Sequence, residues 1–242
     1  MKLYGTPPTR ATRPIWLLNE LEIDCEIIPL DIPAGEHQGA AFLAINPFGK
    51  APALVDGDLA MAESVAIMMY LAEAHGGERF LPTDPAERAL MHQWNLFLVA
   101  EIEQPLWRMG LHTVIYPEAE RIAADVPLAR RDCLRMLAPL ETHLQGREYM
   151  VGSGLTVADF NAAYTLDWAD EDGACWRPSP TVAASWSACM RGPRPRPASP
   201  RPLPGCMPAK SRPAFARTSR PSSDCCPASD RCPSDKHQRT NA

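Results

Sequence analysis

The chain has 242 residues, 45% of them hydrophobic and 22% charged, with a net charge of −5. That length allows one large domain or two small ones, and the acidic balance gives no reason to expect a nucleic-acid partner. No apolar run approaches the roughly 18 residues a membrane span needs and no basic-then-apolar leader opens the chain, so a cytoplasmic protein with no membrane partner is expected.

The average conceals a division. Residues 1–173 carry 12 Lys and Arg against 26 Asp and Glu, a net of −14, whereas residues 174–242 carry 12 against 3, a net of +9. The second stretch also holds six of the eight cysteines and 13 of the 26 prolines, with a single Leu and no Ile, Tyr or Glu. Such a composition cannot bury enough surface to offset chain entropy, so 174–242 is expected to be a disordered Pro/Arg/Cys-rich tail. A one-base deletion near codon 174 is one origin for it: Ser185–Arg194, back-translated with GC-rich codons and read in a shifted frame, can give the helix-like Val-Glu-Arg-Leu-His-Ala-Arg-Pro-Ala. A DNA read across codons 165–200 with no alternative helical frame would refute that origin. The tail's Cys-Pro and Cys-Cys pairs lack zinc-ligand spacing, and no metal site is expected.

In chain order, Lys2–Gly5 reads as a strand ended by Thr6-Pro7-Pro8. Thr9 then stands where a helix N-cap is expected, ahead of apolar residues at helical spacing over Pro14–Leu21. Cys25–Leu30 reads as a second strand, parallel to the first through a right-handed crossover. Glu36–Ile45 reads as a weak short helix. The most informative stretch is Asn46–Leu71. Pro52 opens an apolar run, where a proline is tolerated at the first strand position, and a cis bond before it would turn the backbone of Ala51 outward. Asp56-Gly57 signals a two-residue hairpin. Ser64 then opens a helix whose positive end attracts a carboxylate, and Glu63 is positioned for an ammonium. An extended edge at Ala51, an anion seat at Ser64 and a carboxylate at Glu63 together describe a receptor for a γ-glutamyl peptide.

Gly76-Gly77 stops that helix, and Leu81–Pro85 is a linker carrying its own cap. Beyond it the chain reads as helical. One long helix runs to about Thr113 with a kink at Pro105, and another from about Ala119 to Leu144, interrupted by Pro127 and Pro139. Thr156-Val-Ala-Asp159 is a capping box that opens a last helix. The expected organisation is a βαβαββα domain over 1–78, a linker over 79–84, an incomplete all-helical domain over 85–173, and the tail. Loss of helices beyond Gly173 is expected to leave Phe160, Tyr164 and Trp168 partly exposed.

The β1–α1 loop, the Pro52/Glu63-Ser64 segment and the Thr156–Asp159 box together resemble the cytosolic glutathione transferases, of the theta- and delta-like bacterial type. The resemblance covers about residues 1–173 and implies a thioredoxin-like α/β domain followed by an all-α domain. It also implies glutathione as co-substrate, an apolar electrophile as second substrate, and a homodimer. Thr9 looks like that family's activating serine, with Tyr4 as the alternative and Thr6 as a weaker hydroxyl. Arg10 stands where related classes carry a cysteine, which argues against thiol–disulfide chemistry. The resemblance assigns Ala51 and Pro52 to main-chain pairing with glutathione, Glu63 and Ser64 to its γ-glutamyl end, and Lys50 or His37 to its glycine carboxylate. Trp107, Arg108, His112 and Tyr116 are candidates for the electrophile site. The implied activity is attack of a glutathione thiolate on an apolar electrophile. A non-catalytic interaction module of the same fold, or a glutathione-dependent isomerase or dehalogenase, stands as the alternative.

Overall fold

The computed structural model describes residues 1–77 and 79–171. The expected tail and frame change lie outside the described residues. The chain opens with β1 (Lys2–Tyr4), α1 (Thr12–Glu20), β2 (Glu26–Ile28), α2 (Ala40–Leu43), β3 (Ala53–Asp56), β4 (Leu59–Ala62) and α3 (Ser64–His75). This is the expected βαβαββα order. The sheet runs β2-β1-β3-β4, with β1 and β2 parallel and the other two pairs antiparallel. Leu3 and Leu54 of the sheet are fully buried with Leu17 of α1 and Ile67, Met68 and Leu71 of α3, so both helices cover it.

Three local details differ from the sequence reading. Thr9 is not the N-cap of α1; that position falls to Ala11. Pro14 has no N–H to give to Arg10, so the first regular bond is Ile15 N–H to Ala11 O at 3.1 Å, and tighter turns link Thr12 to Thr9 and Arg13 to Arg10. The hairpin pairs Asp56 with Leu59, which makes Gly57-Asp58 the central residues. Gly57 takes φ +57 there, a conformation that only glycine adopts cheaply. The weak helix over 36–45 is split by extended Gly39 into a 3₁₀ turn, Glu36–Gln38, and the single turn of α2.

The second half is helical. Asp84 caps α4 (Pro85–Phe97), its carboxylate accepting the Glu87 N–H at 2.9 Å. Helical turns continue to Ile115, but not as one regular helix: π turns at Leu98–Glu103 and Leu111–Ile115 flank α5 (Gln104–Gly110). Pro105 cannot donate to the carbonyl of Glu101, and the wide turn forms immediately before it. The next helix, α6 (Asp125–Leu144), begins six residues later than expected, because a start at Ala119 would have required an N–H from Pro127 in mid-helix. Pro139 is carried inside it. The last helix, α7 (Val157–Glu171), starts at the expected capping box. Asp159 accepts the N–H and the hydroxyl of Thr156 at 2.7 and 2.8 Å, and also the N–H of Met150 at 2.7 Å.

Contrary to expectation, Phe160 is fully buried. Its ring sits edge-on between Trp16, 4.6 Å away, and Phe80, 5.2 Å away, so α1 and the linker cover it. The Phe80 carbonyl also accepts the Val157 N–H at 3.0 Å, which pins the linker to the start of α7.

Candidate functional site

Strand β1 ends in Gly5 at φ +118, its N–H bound to Ile28 O at 2.9 Å. A Cβ at Gly5 would lie 3.0 Å from the Ala11 Cβ and 3.1 Å from the Ala51 Cβ. Glycine therefore lets the lead-in to α1, at Ala11, and the entry to β3, at Ala51 and Pro52, close over the strand end. The Ala51–Pro52 bond is cis. Thr9 Oγ1 donates to Thr6 O at 2.6 Å and accepts the Ala11 N–H at 3.2 Å. Its hydroxyl is thus polarised by a helix-start amide and aimed at a backbone carbonyl. Tyr4 is half-buried, its ring 6.0 Å from Phe42, as a packed strand aromatic would be.

Asn46 and Gln38 tie together the loop that carries Lys50 and the turn that carries His37. Buried Asn46 donates to Lys50 O at 2.6 Å and accepts the Phe48 N–H at 3.1 Å. Gln38 Nε2 donates to Gly49 O at 2.9 Å, which holds the turn bearing His37 against that loop. The Lys50 side chain is exposed, and the Nδ1 of His37 is buried with no partner among the described residues.

Glu63 takes φ +68, a left-handed conformation that costs a non-glycine residue about 1–3 kcal/mol. Its carboxylate is exposed and has no partner among the described residues. Ser64, the first residue of α3, is buried, and its Oγ accepts from Arg13 Nη1 at 3.1 Å.

Arg13 belongs to a charge cluster that sequence reasoning did not assemble. It is 1% exposed, and its Nη2 donates to Glu103 and, at 2.9 Å, to Thr165 Oγ1. The Tyr164 ring centroid lies 4.4 Å from its guanidinium carbon. Glu103 is also buried and accepts Arg10 Nε on its other oxygen. The Arg10 guanidinium carbon in turn lies 5.0 Å from the Trp107 ring and 5.1 Å from the Trp168 ring. The one available signal was a lone Arg and a lone Glu on otherwise apolar helix faces, at Arg13-Pro-Ile and Ile102-Glu103.

Only one of the four residues considered for an electrophile site, Trp107, adjoins this cluster through Arg10. Arg108 instead pairs with Asp125 and with Asp132 at 3.4 Å. Its hydrogen bonds hold the Asp125 carboxyl below the ordinary carboxylate range, and Asp125 in turn raises Arg108. His112 Nδ1 accepts the Ile122 N–H at 3.2 Å, and its Nε2 lies 3.6 Å from Asp125. Tyr116 stacks edge-on to His112 at 5.3 Å. Arg108 and His112 thus tie α5 and the turn after it to the start of α6, and Tyr116 packs on His112. Among the described residues no three His, Cys, Asp or Glu side chains gather as a metal site, and no helix is long and apolar enough to cross a membrane.

A thioredoxin-like domain with a polar edge at the strand ends, carrying a helical domain, is the architecture the comparisons also find. The N-terminal domain model of glutathione S-transferase matches residues 1–73, and the C-terminal domain model matches 100–193, past Gly173. A glutathione S-transferase of Hyoscyamus muticus is 31% identical over 173 residues, covering 69% of this chain and 82% of that protein. Glutathione S-transferase 3 of Zea mays is 33% identical over 207 residues, covering 80% and 90%. Among solved structures, glutathione S-transferase-I bound with lactoylglutathione superposes with a TM-score of 0.67 at 28% identity, covering 79% of this chain and 94% of that one. The chain belongs to the glutathione S-transferase family. The two sequence relatives are plant proteins, and they give no support to a theta- or delta-like type.

Proposed function

We propose that this chain is a glutathione transferase that binds glutathione along the edge formed by Ala51, Pro52, Glu63 and Ser64 and ionises its thiol beside Thr9. The observation that carries the reading is the pairing of two hydroxyls with helix starts: Thr9 at the lead-in to α1 and Ser64 at the head of α3. The γ-glutamyl carboxylate takes the amide end of α3 and the Ser64 hydroxyl, and Glu63 takes the ammonium. The main chain of Ala51 pairs with the cysteinyl part, and Lys50 or His37 meets the glycine carboxylate.

A thiol of pKa ~8.5 is only a few per cent thiolate near neutrality, and the thiolate is the nucleophile. Lowering that pKa by two units takes about 2.7 kcal/mol of preference for the anion. A hydroxyl donor contributes about 1–3 kcal/mol and a helix start up to ~2. To donate to sulfur, the Thr9 hydroxyl turns its hydrogen away from Thr6 O, while the Ala11 N–H still polarises its oxygen. The thiol proton leaves to solvent, and the thiolate attacks the electrophile.

The short Thr9–Thr6 bond also favours a second reading, a non-catalytic interaction module of the same fold whose hydroxyl never turns. Replacing Thr9 by Ala separates the two: loss of turnover with glutathione binding retained supports the enzyme, and an inert wild type supports the module. By resemblance to the family, the protein is assigned to the cytoplasm, acts as a homodimer and takes an electrophile with a largely apolar body. Its two-domain core is divided at residues 79–84.

A further inference from the structure

We propose that Arg10 sets specificity on the electrophile side and selects substrates carrying a carboxylate a few bonds from the reacting carbon. The inference rests on the glutathione reading above and adds the class of the second substrate.

Three observations carry it. First, charge is out of balance in the cluster. Arg10 and Arg13 share one carboxylate, Glu103, and no other carboxylate among the described residues lies within ion-pair distance of either guanidinium. Among the described residues the cluster therefore carries one more positive than negative charge. Second, the surplus belongs to Arg10. Arg13 is buried and spends its Nη groups on Ser64, Glu103 and Thr165. Arg10 gives only its Nε to Glu103, and its side chain is 29% exposed. Neither Nη group of Arg10 has a hydrogen-bond partner among the described residues. Third, Arg10 is held in place. Trp107 and Trp168 lie over its guanidinium and Glu103 fixes its Nε, so the free fork is pre-oriented and little freedom is lost when it binds. A planar guanidinium with two free Nη groups fits a carboxylate bidentately. The two indole rings supply apolar walls for the rest of the molecule. Arg10 directly follows Thr9, which places the captured group close to the sulfur.

The test compares two glutathione conjugates of similar size by titration calorimetry at low salt: S-(2-carboxyethyl)glutathione, the adduct of an unsaturated acid, and S-propylglutathione. Wild type is expected to bind the carboxylate conjugate about ten-fold more tightly, the size of one charge-assisted bond. That preference should shrink as salt is added. In Arg10→Gln, which leaves Arg13 and Glu103 as a balanced pair, the ratio of the two affinities should collapse to near one. Arg10→Lys should restore part of it. A wild type with no preference, or a preference that survives Arg10→Gln, overturns the proposal. So does an equal weakening of both conjugates in Arg10→Gln, which would assign the contact to glutathione itself. Wild type that binds neither conjugate nor glutathione removes the underlying reading and this one with it, and that result is distinct from the others.

Discussion

Glu103 is the residue whose loss should be felt most. Its carboxylate is buried and takes one hydrogen bond from Arg10 and one from Arg13, which is itself 1% exposed. Replacement by Gln keeps the shape and removes the charge. Arg13 is then a buried cation whose remaining partners, Ser64 and Thr165, are neutral. Breaking a buried pair from one side costs about 3–5 kcal/mol, because the stranded charge has lost its solvent. For a protein of this size each kcal/mol moves Tm by about 2–4 °C, so Glu103→Gln should melt roughly 6–20 °C lower. Urea unfolding at unchanged m-value gives the free energy directly. Exposed Glu101, two residues earlier, is the control, and its Gln variant should change stability by less than about 0.5 kcal/mol. A loss below about 1 kcal/mol for Glu103→Gln would refute the reasoning, since it would mean that water, not Glu103, compensates the two guanidinium groups.

Further outcomes follow from the same geometry. Thr9→Ala should lower kcat/KM about 10- to 100-fold, the worth of one hydroxyl donor, while Thr9→Ser retains activity; equal activity of the Ala variant in a conjugation assay would exclude the hydroxyl. Ser64→Ala should raise the KM for glutathione more than it lowers kcat, and should also destabilise by about 1–3 kcal/mol because Arg13 Nη1 loses its acceptor. Phe160→Ala should cost about 3–5 kcal/mol in urea unfolding, and a cost under 1 would show that the site between Trp16 and Phe80 collapses to fill the space. Burial pushes the Asp159 carboxyl up to about 6 from 3.8. Folding therefore favours its protonated form, and that stabilisation is complete below about pH 4 and is lost as pH rises through 6. Relative to Asp159→Asn, wild type should lose about 2 kcal/mol between pH 4 and 7, and a pH-independent difference would contradict the assignment.

The elements that sequence pattern made legible are those with local causes. The strands, the βαβαββα order, the Asp84 cap and the Thr156–Asp159 box each depend on residues a few positions apart. Errors arose where a single proline redirected local bonding, as at the start of α1 and at the late start of α6. The Asp56-Gly57 pair marked the hairpin, but the sheet register placed the glycine first rather than second in the turn. The residues proposed for the glutathione edge could be nominated from sequence because most lie on one segment, Lys50–Ser64. The Arg10–Glu103–Arg13 cluster could not, because it joins residues 90 or more positions apart. Helical spacing likewise could not tell Trp107, which faces Arg10, from Arg108 and His112, which face α6. Phe160 was expected at an uncovered face because its cover comes from Trp16 and Phe80, far behind it in the chain.

The central claim is that this chain ionises bound glutathione beside Thr9, and the most direct measurement is the pKa of the bound thiol. The ultraviolet absorbance of the thiolate, followed against pH with purified chain and saturating glutathione, reports it. The account predicts an apparent pKa about two units below the ~8.5 of a free thiol in wild type, rising by a unit or more in Thr9→Ala. A bound thiol that titrates like free glutathione, with Thr9→Ala indistinguishable from wild type, would contradict it.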